Sequence, residues 1–150
     1  MAIVDDVSAA IAAAMREKAQ TRLSALRMLK AAFMNREVEK GRALDDTEAR
    51  QVVAALVKQR RDSIDQFTKG GRTDLADKEA AEITVLESYL PPAADPAAID
   101  RAIAEAITDT GATSAKDLGR VMKAAMAKLA GQNVDGKQVN ERVRARLGGA

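Results

Sequence analysis

The sequence contains no cysteine and no histidine. The first absence excludes disulfides, thiol nucleophiles and thiolate metal sites. The second removes the commonest general base and the commonest metal ligand. Any metal would need oxygen ligands alone, and no calcium-type loop is visible. Tryptophan is absent and aromatics are 2% of the chain, namely Phe33, Phe67 and Tyr89. None follows Tyr89, so the C-terminal part cannot stack bases on rings, the usual route to reading single-stranded RNA. No apolar run approaches the roughly 18 residues of a membrane span. The first residues carry Asp5 and Asp6 where a signal peptide would be positive. These features together give the expectation of a soluble, cytoplasmic protein with no membrane partner.

Proline is scarce, and its placement is informative. All three prolines, Pro91, Pro92 and Pro96, fall within six residues. Each removes a backbone donor and blocks the turn before it, so none can sit inside a helix. The expected architecture is all-α: an N-terminal four-helix unit, residues 1–91, joined by a Pro-rich linker to a C-terminal three-helix unit, residues 95–150. No stretch alternates with period two, so no sheet is expected.

What the sequence has in abundance is Ala, Leu, Ile and Val at helical spacing. Ile3, Val7, Ile11 and Met15 make one stripe. Leu23, Leu26, Leu29 and Phe33 make a second, which Gly41 ends. Asp45 with Glu48 three residues on reads as a capping box for a long third helix. Val52, Val53, Leu56, Ile64 and Phe67 mark its inner side, and Lys58–Asp62 its charged outer side. Gly70-Gly71 ends it. Thr73 is the expected cap of the fourth helix, with Leu75, Ile83, Leu86 and Leu90 inside. Asp95-Pro96 is a strong start signal for the fifth, which carries Ile99, Ile103 and Ile107. Ser114 and Asp117 suggest a cap before Leu118, Val121, Met122, Met126 and Leu129. Asp135 caps a last helix with Val139, Val143 and Leu147. The six methionines share this spacing, and core packing is their expected role.

Net charge is only +2, with 24 basic and 22 acidic residues. The distribution is uneven. From Thr113 onward there are 8 basic residues and 3 acidic ones, a local balance of +5. A basic surface is the footprint of a phosphate-rich partner, although a solvated face is the plainer alternative. The candidate nucleic-acid contacts are Arg120, Lys123, Lys128, Lys137, Arg142, Arg144 and Arg146. Without aromatics, such binding would be directed by backbone and shape, and strongly salt-dependent.

Other constellations are weaker. Asp45/Asp46, Asp62/Asp65 and Asp74/Asp77 are paired carboxylates, but neighbouring basic residues make salt bridging or capping the expected roles. No catalytic residue, cofactor or metal site is assigned. Residues 131–137 fit the phosphate-loop pattern G-x-x-x-x-G-K, but Gln138 stands where Ser or Thr should bind magnesium, and no strand precedes it. Lys137 at a helix start could still meet one phosphate; alternatively Asp135 simply caps the helix and Gly136 permits the turn.

Several blocks carry a family likeness. They are Leu26–Ala32, Lys58–Phe67 followed by Gly70–Leu75, Glu87–Pro91, Asp117–Met122 and Val134–Asn140. In this order they resemble the GatB/YqeY family, specifically its stand-alone YqeY-like members, across essentially the whole chain. The resemblance implies a helical N-terminal domain followed by a three-helix domain. It also implies a neighbourhood: the same module forms the tail of the B subunit of the tRNA-dependent amidotransferase, where it contacts tRNA. The ATP- and metal-binding catalytic domain of that subunit has no counterpart in these 150 residues. The family label of a carbon–nitrogen ligase with glutamine as amido donor therefore over-reaches as an activity of this chain. Three readings follow: a non-catalytic module that binds tRNA, a protein-interaction adaptor using the charged third helix, and an accessory of an amidotransferase or synthetase.

Overall fold

The computed structural model describes residues 2–148. Residue 1 and residues 149–150, at the outer edges of the two expected domains, lie outside the described residues. Among the described residues there are seven α-helices and no strand. They are α1 (Ile3–Glu17), α2 (Gln20–Lys40), α3 (Asp46–Lys69), α4 (Thr73–Glu87), α5 (Pro96–Thr110), α6 (Leu118–Lys128) and α7 (Gly136–Arg146). A one-turn 3₁₀ helix, Ala115–Asp117, precedes α6. Contacts divide the chain into two units between Leu90 and Pro91, each with its own apolar core.

In the first unit, helix ends follow local chemistry. Asp45 accepts from the Glu48 backbone N–H at 2.8 Å, and the Glu48 carboxylate accepts from the Asp45 N–H at 3.2 Å. This is the reciprocal box that the sequence predicts. Asp46 does something different. Its Oδ1 accepts from the Ile3 N–H at 2.9 Å, so α3 caps α1, whose own Ala2 has no side chain to do so. Gly41 ends α2 at φ 72°, a conformation that only glycine adopts freely. The corresponding left-handed cap of α1 falls on Lys18, at φ 57°, a position with no glycine to announce it. Thr73 does not cap α4: it is the first helical residue, and Arg72 holds the cap position without a side-chain bond.

The core of this unit is built on α2. Leu23, Leu26, Leu29 and Phe33 are buried, against Val53 and Val57 of α3 and Leu86 of α4. Tyr89 and Leu90 pack on the same cluster. Burial lifts the Tyr89 phenol above its ordinary pKa. Three methionines depart from expectation: Met15, Met28 and Met34 are exposed, as is Val38 at 82%, whereas Met122 and Met126 pack on the core of the second unit. In α1, a strict spacing of four advances 40° per step around the helix. Met15 has thus drifted off the inner face, and Ala14 is buried instead. Met1 lies outside the described residues.

The second unit packs α5 and α7 on α6. Ile99, Ile103, Val121, Val139 and Val143 are its fully buried centre. Asp95 caps α5 by accepting from the Ala97 N–H at 2.9 Å, with Pro96 at the first helical position. The proline-rich segment is held to this unit. The Ala94 N–H donates to the Asn133 carbonyl at 2.9 Å, and Ala93 pairs with Asn133 in a parallel bridge.

Candidate nucleic-acid interface

The basic residues singled out above lie on α6, α7 and the turn that opens α7. Arg120 and Lys123, three residues apart, share the face of α6 opposite buried Val121 and Ala125. Arg120 donates to Asp117 Oδ1 at 2.5 Å and to the Thr110 carbonyl at 3.3 Å. Its guanidinium, with the Thr113 N–H, holds the Asp117 carboxyl below its usual range. Arg120 is thus built into the start of α6. Lys123 is exposed and makes no ion pair with any described residue.

Lys128 leans the other way, toward α5. Its ammonium lies 2.9 Å from Asp109 and 3.6 Å from Glu105, and the Asp109 carboxylate raises its pKa. On α7, Arg142 donates to Asp100 of α5 at 2.9 Å. Arg146, one turn on, is exposed without an ion pair among the described residues. Lys137 and Arg144, two turns apart, share a separate face. Arg144 donates to Asn140 Oδ1 at 2.8 Å, and Lys137 is exposed.

The seven cations therefore do not form one uniform sheet of charge. Two of them, Lys128 and Arg142, are neutralised by α5. Counting from Thr113 gives +5, but residues 95–110 hold four acidic side chains and one basic, and they fold against the basic helices. The unit from Pro91 to Ala150 carries nine basic and seven acidic residues. The acidic residues of α5, Asp100 on one flank and Glu105 and Asp109 on the other, stand in the sequence before that window. The pairing across 42 residues, from Asp100 to Arg142, was not legible there.

The loop that nearly fits the phosphate-binding pattern is a helix entry. Asp135 accepts from the Lys137 N–H at 3.1 Å, so a carboxylate already occupies the positive end of α7. Gly136 needs no glycine: its φ is not positive and a Cβ there meets nothing within 4 Å.

In the first unit, the charged middle of α3 is not uniformly outward. Arg60 is buried. It donates to Glu82 Oε2 of α4 from Nη2 at 2.7 Å and from Nε at 3.0 Å. Glu79 lies 3.5 Å away, with one oxygen buried and making no hydrogen bond. This corrects the picture of Lys58–Asp62 as the outer side of the third helix. The clue was present: Val53, Val57, Arg60, Ile64 and Phe67 follow one stripe, and Arg60 stands in it. Glu48 is a second anchored charge, held by Arg42 at 2.7 and 3.0 Å and by Lys40 at 2.5 Å. These bonds, Arg42 foremost, keep its carboxyl far below the usual range. Between α2 and α3 runs a groove of about 340 Å³, lined by Ala32, Asn35, Gln51, Val52, Leu56 and Gln59 among others.

Comparison with known proteins adds one family match and three relatives. A family model described as Yqey-like protein matches residues 4–147. "Altered inheritance of mitochondria protein 41, mitochondrial" from Lachancea thermotolerans is 33% identical over 99 residues, which is 64% of this chain and 53% of that protein. Its namesake from Kluyveromyces lactis is 36% identical over the same share of this chain and 54% of its own length. That from Eremothecium gossypii is 37% identical over 78 residues, 51% of this chain and 43% of its own. The chain spans about half the length of these curated relatives. Their names are those of mitochondrial proteins, which overturns the expectation of a cytoplasmic location.

Proposed function

This chain belongs to the YqeY-like protein family, and from that premise we propose that it is a non-catalytic, accessory helical module that binds tRNA through its second unit. The observation that carries the reading is the exposed basic surface of α6 and α7. Lys123, Lys137, Arg144 and Arg146 are exposed on these helices, Lys137 and Arg144 on a face of their own, and Arg120, Lys128 and Arg142 stand in ion pairs that phosphate can displace. Such pairs at the surface are weak, on the order of 0–1 kcal/mol. The word tRNA comes from the family's neighbourhood, and a mitochondrial setting from the relatives' names. The same proposal treats the chain as a four-helix and a three-helix domain with the proline-rich segment as the joint.

The test is anisotropy of labelled bulk tRNA across a salt series. Wild type should bind with a steep salt slope. A Lys137→Glu/Arg142→Glu/Arg144→Glu variant should lose about 0.7–0.9 of slope for each phosphate contact removed. No binding by wild type at low salt would sink the reading.

A second reading, a protein-interaction adaptor, draws on α2, where Met34 and Val38 stand exposed one turn apart. In it, Met34→Lys/Val38→Lys abolishes capture of a protein partner and leaves tRNA binding untouched. An amidotransferase accessory would instead change the rate of glutamine- and ATP-dependent amidation when added.

A further inference from the structure

Carboxylates on two flanks of α5 hold cations that the tRNA reading assigns to phosphates. Lys128 sits between Asp109 and Glu105, and Arg142 is bonded to Asp100. These pairs are long-range in sequence and open to water. The side chains of Asp109 and Asp100 are 60% and 45% exposed, those of Lys128 and Arg142 32% and 34%. Carboxylates on two flanks of one helix thus meet cations from the two other helices of the unit.

We infer that α5 is a built-in competitor for the RNA: its carboxylates hold Lys128 and Arg142, and a phosphate reaches either cation only by displacing them. The inference rests on the tRNA reading and deepens it. Its consequence is thermodynamic. When a free lysine meets a phosphate, the phosphate releases its condensed counterion, which gives the salt slope. When Lys128 leaves Asp109 for a phosphate, the bared carboxylate recruits a cation from solution. The released ion is cancelled, and that contact adds little to affinity or slope. The cations that drive binding in the wild type are then those outside the α5 pairs, Lys123 and Arg146 among them.

The experiment uses the full chain and labelled bulk tRNA in a salt series. In a Glu105→Gln background, so that Lys128 keeps no carboxylate partner, the variants are Asp109→Asn and Asp100→Asn/Asp109→Asn; the third is Glu141→Gln. The last removes one negative charge from α7 without freeing a cation from α5. Each freed cation should tighten binding roughly two- to fivefold at low salt, the range set by exposed ion pairs. The double variant should also steepen the slope by about 1.4–1.8, for two new phosphate contacts. Asp109→Asn should give half that change. Glu141→Gln should shift affinity slightly at unchanged slope. Wild type that binds, with a double variant whose slope matches wild type or Glu141→Gln, overturns the inference and leaves the tRNA reading standing. Binding by the double variant alone refutes the tRNA reading of the wild-type chain, and the inference that rests on it. Failure of both to bind at low salt refutes the tRNA reading, and the inference falls with it. Far-UV circular dichroism melts check that each variant is folded.

Discussion

The two units differ in one use of charge. In the first, beside exposed pairs such as Arg61 with Glu87, an ionic cluster is sunk between helices. Arg60 and Glu82 have side chains 8% and 5% exposed, and Glu48 is gripped by Arg42 and Lys40. In the second, the interhelical pairs lie at the surface, Arg142 with Asp100 and Lys128 with Asp109. A buried pair has lost its water and cannot exchange partners, so it fixes how helices meet. An exposed pair keeps most of its water, contributes little to the fold, and can be traded for another anion. The contrast separates a structural use of charge from one open to a ligand.

The sharpest way to break that contrast is Arg60→Ala. It leaves Glu82 buried without its cation, and about 3–5 kcal/mol of stability should be lost. Urea unfolding followed by far-UV circular dichroism measures this. The companion double variant Arg60→Met/Glu82→Leu should be neutral or stabilising, because an apolar pair of similar size avoids the desolvation cost. A loss as large as that of Arg60→Ala would show that the cost is one of packing and not of charge. The matching change in the second unit, Asp100→Asn, should cost less than about 1 kcal/mol by the same measurement. A cost similar to that of Arg60→Ala would erase the distinction between the units.

A finer test uses pH. The Glu48 carboxyl is held below its ordinary value near 4.5 in the folded chain. Its ion pairs therefore stabilise the fold above that pH, and the contribution falls away as pH drops below about 4.5, where the unfolded chain takes up the proton more readily. Glu48→Gln, which keeps an acceptor for the Asp45 N–H, should flatten the acid limb of a midpoint-against-pH curve. An unchanged acid limb would assign that limb to other carboxylates.

How much of this was legible in the sequence depended on distance along the chain. The capping box at Asp45 and Glu48 spans three residues, and the caps at Asp95 and Asp135 span two. Each is a local bond whose partners the sequence states side by side. The apolar stripe of α2 was equally clear, because Leu23, Leu26, Leu29 and Phe33 are large and regularly placed. Arg60 and Glu82, 22 residues apart, were harder. Composition marks both as surface residues, and only their position in an apolar stripe argues otherwise. The basic surface was read from a window starting at Thr113. That window excluded α5, the helix that the fold brings against it. Charge counted along a chain is additive, whereas charge on a surface depends on which helices become neighbours. Lys18 and Met15 missed expectation for smaller reasons: a left-handed cap without glycine, and the 40° drift of a four-residue repeat.

Tyr89, packed on the core of the first unit, is the only tyrosine in a chain without tryptophan. The second unit contains no aromatic residue at all. Intrinsic emission and near-ultraviolet dichroism therefore come from one unit alone. A denaturation curve recorded at the tyrosine band is a curve for residues before Pro91, while the amide band sums both. The difference between the two records isolates the unfolding of the silent second unit, with no label and no engineered probe.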